Sequence, residues 1–140
     1  MQDGKLFVDS NILVYAYDVS AGSKHATAAE LIRGLWMDGR GVISTQVLQE
    51  FFVNVTGKIA KPLRVATAKE IVKDFSKWKP VLVGTDVIVD AIDIHHENKY
   101  SFWDALIIAA AVEGGATTLL SEDLSDKQRI KGISIKNPFK

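Results

Sequence analysis

The sequence predicts an α/β fold, with a parallel sheet of about five strands and helices on both faces, in one domain spanning residues 1–140. Three observations carry this expectation. Short apolar runs alternate with longer helical stretches along the whole chain. No linker, repeat or low-complexity segment divides the 140 residues, a length that suits one domain. Hydrophobic residues make up 47%, enough for a full core.

The elements follow in order. Lys5 to Val8 reads as a buried strand, and Ser10 or Asn11 is placed to cap a short helix after it. His25 to Met37 reads as a helix ending at Asp38-Gly39. Gly41 to Ser44 is a short strand, and Thr45 to Val55 a helix with Val47, Leu48, Phe51, Phe52 and Val55 on one stripe. Pro62 interrupts the chain before a helix over Ala66–Trp78 and a strand at Val81–Val83. Thr85 caps a helix to about Asn98, and Ser101 caps another to Val112, stopped by Gly114-Gly115. Thr117–Leu120 and Ile133–Ile135 are the last strands.

Composition narrows the function. Without cysteine there is no disulfide and no thiolate chemistry, which fits a reducing cytoplasm. The start, MQDGKLF, lacks the basic and apolar regions of a leader peptide, and the longest apolar run, Ala105 to Val112, is too short to span a membrane. We expect a cytoplasmic protein. The net charge of zero predicts no polyanion partner by itself. Locally, seven Lys/Arg fall between Lys58 and Lys79, against Glu70 and Asp74. Lys58, Lys61 and Arg64 are candidates to track a phosphate backbone. Lys69, Lys73 and Lys77, at helical spacing, also read as a solvated face.

In a parallel α/β sheet, helix N-termini and strand carboxyl ends share one edge, where ligands bind. Asp9 follows the first strand. Glu50 lies about a turn into the helix after the second, Asp104 in the first turn of the apolar helix, and Glu122 and Asp123 just after Leu120. The topology therefore carries acids that are distant in sequence to one edge. Each has a plain structural alternative: Asp9 as a cap, Asp104 within the S-x-x-D capping box of Ser101, Glu50 on a solvated face, and Glu122 and Asp123 as loop acids. Crowded carboxylates cannot all ionise without a counter-charge, and an all-oxygen set suits the hard cations Mg²⁺ or Mn²⁺.

The motifs FVDSNIL, QVLQEF, SFWDALI and TLLSEDL, in this order and spanning most of the chain, resemble those of the PIN-domain nucleases, and within them the VapC-like toxin ribonucleases. The resemblance implies a Rossmann-like PIN fold and Mg²⁺- or Mn²⁺-dependent endonucleolytic cleavage of RNA. It implies Asp9, Glu50 and Asp104 as metal ligands, with Asp123 as the fourth acid. Ser121 would orient a ligand or water, and Asn11 would hold Asp9. It further implies a homodimer and a small antitoxin partner. The last motif departs from the family's usual T-x-D, which leaves Glu122, Asp123 and Asp126 as rivals for the fourth acid; Asp123 is the choice.

Other features carry less. The acidic stripe Asp86, Asp90, Asp93 and Glu97 reads as a solvated helix face. His95-His96-Glu97 lacks metal geometry on a helix, and Trp36, Trp78 and Trp103 read as core aromatics rather than base-stacking platforms. Two alternatives stand beside the ribonuclease: a phosphoryl-transfer or phosphatase-type enzyme in which Asp9 is the nucleophile, and a PIN module that binds RNA or protein without cutting. A haloacid-dehalogenase-type phosphatase would want an acid where Asn11 stands.

Overall fold

The computed structural model describes residues 4–124 and 126–140. The chain runs β1 (Lys5–Val8), α1 (Ser10–Tyr17), α2 (Ser23–Asp38), β2 (Gly41–Val42), α3 (Thr45–Gly57), α4 (Val65–Phe75), α5 (Thr85–Glu97), α6 (Phe102–Glu113), β3 (Ala116–Leu120), β4 (Arg129–Ile130) and β5 (Ile133–Lys136). Short 3₁₀ turns at Val19–Ala21 and Ser76–Trp78 follow α1 and α4. No described helix is long and apolar enough to cross a membrane.

The five strands form one sheet in the order β2-β1-β3-β5-β4, parallel except for β4. From β1 the chain crosses to β2 on one side. From β2 it crosses back over β1 to β3 on the other. Right-handed crossovers in opposite directions lie on opposite faces, which puts α1–α2 across the sheet from the α5–α6 pair. The carboxyl ends of β1 and β3 therefore border the switch point where a ligand crevice opens. Register sets its width: Val8 pairs with Leu120 and Leu120 with Lys136, while Asp9 N donates to Leu120 O at 3.0 Å. The residues just past the two strands, Asp9 and Ser121, are thus held side by side.

The core lies on both sides of β1 and β3. Phe7, Val8, Leu119, Phe51 and Ile108 are fully or nearly fully buried, and α6 is buried from Ala105 through Ala111. A helix this apolar on every side is a central element, and its exposed first turn is where it meets water.

Several elements differ from expectation. The run Val81–Val83 is no strand: Val81 makes a single parallel bridge to Ser44, and Leu82 is 76% exposed. β2 likewise stops at Val42. The fifth strand is instead β4, antiparallel to β5. Its hairpin turns at Lys131 and Gly132, both at positive φ (52° and 81°), the geometry of a two-residue I′ turn. A two-residue strand leaves no period to read, and Lys-Gly is a weaker turn signal than Asn-Gly. The cap of α1 is Asp9 rather than Ser10 or Asn11, and α5 is capped by Gly84 without a side chain rather than by Thr85. Ser101 caps α6 as expected, its Oγ accepting from Asp104 N at 3.1 Å. The Ala66–Trp78 helix ends at Phe75, where Trp36, Phe75 and Trp78 pack with ring centroids 4.9–5.3 Å apart.

Candidate active site

Asp9 stands at the centre of the crevice. It ends β1 and begins α1, so the sheet and the helix fix its backbone together. It is 5% exposed. Oδ1 accepts from Ser10 N at 2.7 Å and Oδ2 from Ser121 Oγ at 2.7 Å. Burial outweighs these bonds and, with the negative charges of Glu50 and Asp123, raises its pKa from 3.8 to about 6. Among the described residues no Lys or Arg pairs with it.

Glu50, half-buried on α3, accepts at Oε1 from Ser10 Oγ (2.8 Å) and at Oε2 from Gln46 Nε2 (3.1 Å). Asp104 lies in the first turn of α6. Burial raises its pKa, as do the charges of Asp123 and Glu50, against the opposing hydrogen bond with Ser101. Asp123 is exposed on the loop after β3 and accepts from Asn11 Nδ2 at 3.0 Å. The charges of Glu50 and Asp123 thus act on both Asp9 and Asp104. A recess of about 450 Å³ opens beside Glu50 and Asp123, lined also by Ser10, Gln49, Val53, Asn54 and Lys58.

The neighbouring acids go elsewhere. Glu122 turns away to accept from Tyr15 OH at 2.6 Å and from Lys24, which also lies over the Tyr15 and Phe139 rings. Burial would raise its pKa, but the bonds from Lys24 and Tyr15 hold it below the usual glutamate range. Asp126 accepts from Asn137 N at 2.7 Å, tying the loop to the end of β5. Of the three rivals, only Asp123 faces the other acids.

Asn11, expected to hold Asp9, instead holds the loop: Nδ2 donates to Asp123 and Oδ1 accepts from Glu122 N at 3.1 Å. Ser121 is the hub. Fully buried, it donates to Asp9 and accepts from Asp123 N at 3.1 Å. Lys58 reaches the recess, whereas Lys61 and Arg64 are exposed on the α3–α4 connection and do not line it. Trp103, expected in the core, is 63% exposed. His95 Nδ1 contacts Tyr100 O at 2.7 Å, a bond within the α5–α6 corner. The sequence reading missed Gln46, whose signal was its i,i+4 spacing to Glu50. It also missed Tyr15 and Lys24, for which no local signal exists.

As a cation site the residues fit by donor chemistry: four carboxylates, all oxygen, with no basic partner among the described residues. They do not form a preformed cage. As the described side chains stand, no three of them are close enough to clasp an ion. Glu50 is held by Gln46 and Ser10, and Asp123 by Asn11.

The model of the PIN domain matches residues 6–129, most of the chain. The chain belongs to the PIN-domain family. Solved structures agree on the fold. A toxin–antitoxin complex from Klebsiella pneumoniae superposes on this PIN domain with a TM-score of 0.68 at 20% identity, covering 96% of this chain and 97% of that one. VapBC2 from Rickettsia felis, bound to a DNA fragment from its promoter, gives 0.65 at 19% identity, covering 94% and 97%. VapC20 from Mycobacterium tuberculosis, described as a sarcin-ricin loop cleaving toxin, gives 0.59 at 20% identity, covering 82% and 87%. No curated protein matches this PIN domain.

Proposed function

We propose that this PIN domain is a Mg²⁺- or Mn²⁺-dependent endoribonuclease, the toxin of a toxin–antitoxin pair. The observation that carries the reading is the convergence of Asp9, Glu50, Asp104 and Asp123 on one crevice without a basic partner among the described residues, with burial and mutual charge opposing ionisation at Asp9. These four acids would hold the cation. When bound, it supplies an activated water and positive charge for the phosphate and its leaving oxygen. The chain's own part is positional. Ser121 and Ser10 fix the Asp9 carboxylate, Asn11 fixes Asp123, and Lys58 offers a cation at the mouth of the recess to a substrate phosphate.

The nucleophilic-aspartate alternative is disfavoured, because Asn11 stands where a phosphatase of that type would carry its second acid. A non-cleaving module is disfavoured because all four acids are present. The test is cleavage of a structured RNA in Mn²⁺, with and without EDTA, beside Asp9→Asn and Asp104→Asn. We expect cleavage in the wild type alone, abolished by EDTA. Cleavage that survives in both variants overturns the reading.

A small antitoxin and a second copy of the chain are the partners of this proposal, and the cytoplasm is where such a toxin would meet RNA. An apolar groove of about 560 Å³ between α3 and α4, lined by Leu48, Phe52, Val53, Val65 and Val72 with Lys69 and Lys73, shares Gln49 and Val53 with the recess. Its chemistry suits an antitoxin segment with apolar and acidic residues, seated where it would also cover the mouth.

A further inference from the structure

We propose that Gln46 is a positioning residue of this site: its amide ties Glu50 to the first turn of α6 and so fixes the Glu50 carboxylate relative to Asp104. The inference rests on the metal-dependent reading above and extends it to a residue outside the four acids.

Gln46 lies one turn before Glu50 on α3 and is 6% exposed. Its Nε2 donates to Glu50 Oε2 at 3.1 Å and reaches Trp103 O at 3.5 Å. Trp103 immediately precedes Asp104, so one amide group touches both carboxylate-bearing helices. Both of its partners are acceptors, which fixes the amide's orientation. Flipped, Oε1 would face a carboxylate and a carbonyl. Oε1 is therefore the end left over, buried without a hydrogen-bond partner. Buried amide oxygens are seldom left so, and such an exception calls for a reason. Here the reason is the donor end. Ser10 Oγ holds one oxygen of Glu50 and Gln46 the other, so the plane of the carboxylate is set. Without Gln46, Glu50 pivots about its single bond to Ser10.

The unpartnered oxygen also separates positioning from folding. Gln46→Met keeps the volume and removes an unsatisfied acceptor along with the donor, so the fold loses little. Groups that orient metal ligands typically matter 10–100-fold in metal affinity or activity. The experiment is Mn²⁺ titration calorimetry, thermal melting in EDTA and RNA cleavage, on the wild type, Gln46→Met and Gln46→Glu. Gln46→Met should melt within about 3 °C of the wild type, bind Mn²⁺ roughly 10–100-fold more weakly, and recover part of its cleavage as Mn²⁺ is raised. Gln46→Glu keeps the length but sets an acceptor against Glu50 and the Trp103 carbonyl, and should also lose Mn²⁺ affinity. Wild-type Mn²⁺ affinity in both variants overturns the positioning role and leaves the metal reading standing. A large loss of melting temperature with the folded protein's affinity unchanged also overturns it, since the role is then structural. A wild type that takes up no Mn²⁺ overturns both.

Discussion

Replacing Asp9 by Asn should stabilise the metal-free protein, and by an amount that depends on pH. Burial holds the native carboxyl at about 6, against 3.8 when exposed. Between those values the native state binds a proton that the unfolded chain has released. Stability therefore falls as pH rises from about 4 to about 6, and stays at the lower level above that. At 1.36 kcal/mol per pH unit the ionised Asp9 costs roughly 3 kcal/mol at pH 7.5. Asn fits the pocket and cannot ionise: its oxygen can still accept from Ser10 N, and its amide faces Ser121 Oγ. The difference in stability between the Asp9→Asn variant and the wild type should be near zero at pH 4 and favour the variant by about 3 kcal/mol at pH 7.5. For a chain of this length that is a gain of around 10 °C in melting temperature. The assay is thermal and urea unfolding of both proteins in EDTA from pH 4 to 8. Acids common to both proteins largely cancel in the difference. Adding Mn²⁺ at about a thousand times the dissociation constant should reverse the order, since that occupancy is worth about 4.1 kcal/mol to the wild type alone. A variant destabilised by a constant amount at every pH would refute the reasoning and make Asp9 a structural cap.

Two further outcomes check the surroundings of Asp9. Ser121→Ala removes a hydroxyl that donates to Asp9 and accepts from Asp123 N, and should cost roughly 1.5–3 kcal/mol at pH 8, measured by urea unfolding, with a smaller cost at pH 5 where Asp9 carries its own proton. Gly41→Ala should destabilise by about 1–3 kcal/mol on thermal unfolding without changing Mn²⁺ affinity, because the new Cβ would lie 2.3 Å from the Trp78 ring, remote from the acids.

The sequence revealed the parts of this molecule that repeat with a period or follow from topology. α3 and α6 were legible because their apolar residues and the Ser101 cap are local signals. The convergence of Asp9, Glu50 and Asp104 was legible because parallel strands joined by helices bring strand ends and helix starts to one edge. Strand β4 was not legible, since two residues carry no alternation and its pairing with β5 depends on a turn with two left-handed residues. Nor was the fate of Val81–Val83, an apolar run that reads as a strand but stays at the margin of the sheet with Leu82 in solvent.

The fourth acid shows where local reading ends. Glu122, Asp123 and Asp126 share one loop and one chemistry, and nothing in their spacing ranks them. What separates them is contact with residues far away: Glu122 meets Tyr15 and Lys24 across about a hundred positions, and Asp126 meets the backbone of Asn137. These contacts also explain how an exposed loop acid is aimed. Glu122 is drawn to Lys24 and Tyr15, while the charge of Asp123 acts on Asp9 and Asp104. Asn11 then holds both ends of that arrangement, accepting from Glu122 N and donating to Asp123. The Lys24–Glu122 pair therefore acts through both charge and geometry: it pairs an acid that would otherwise add to the repulsion and, with Tyr15, anchors the loop to α1 and α2.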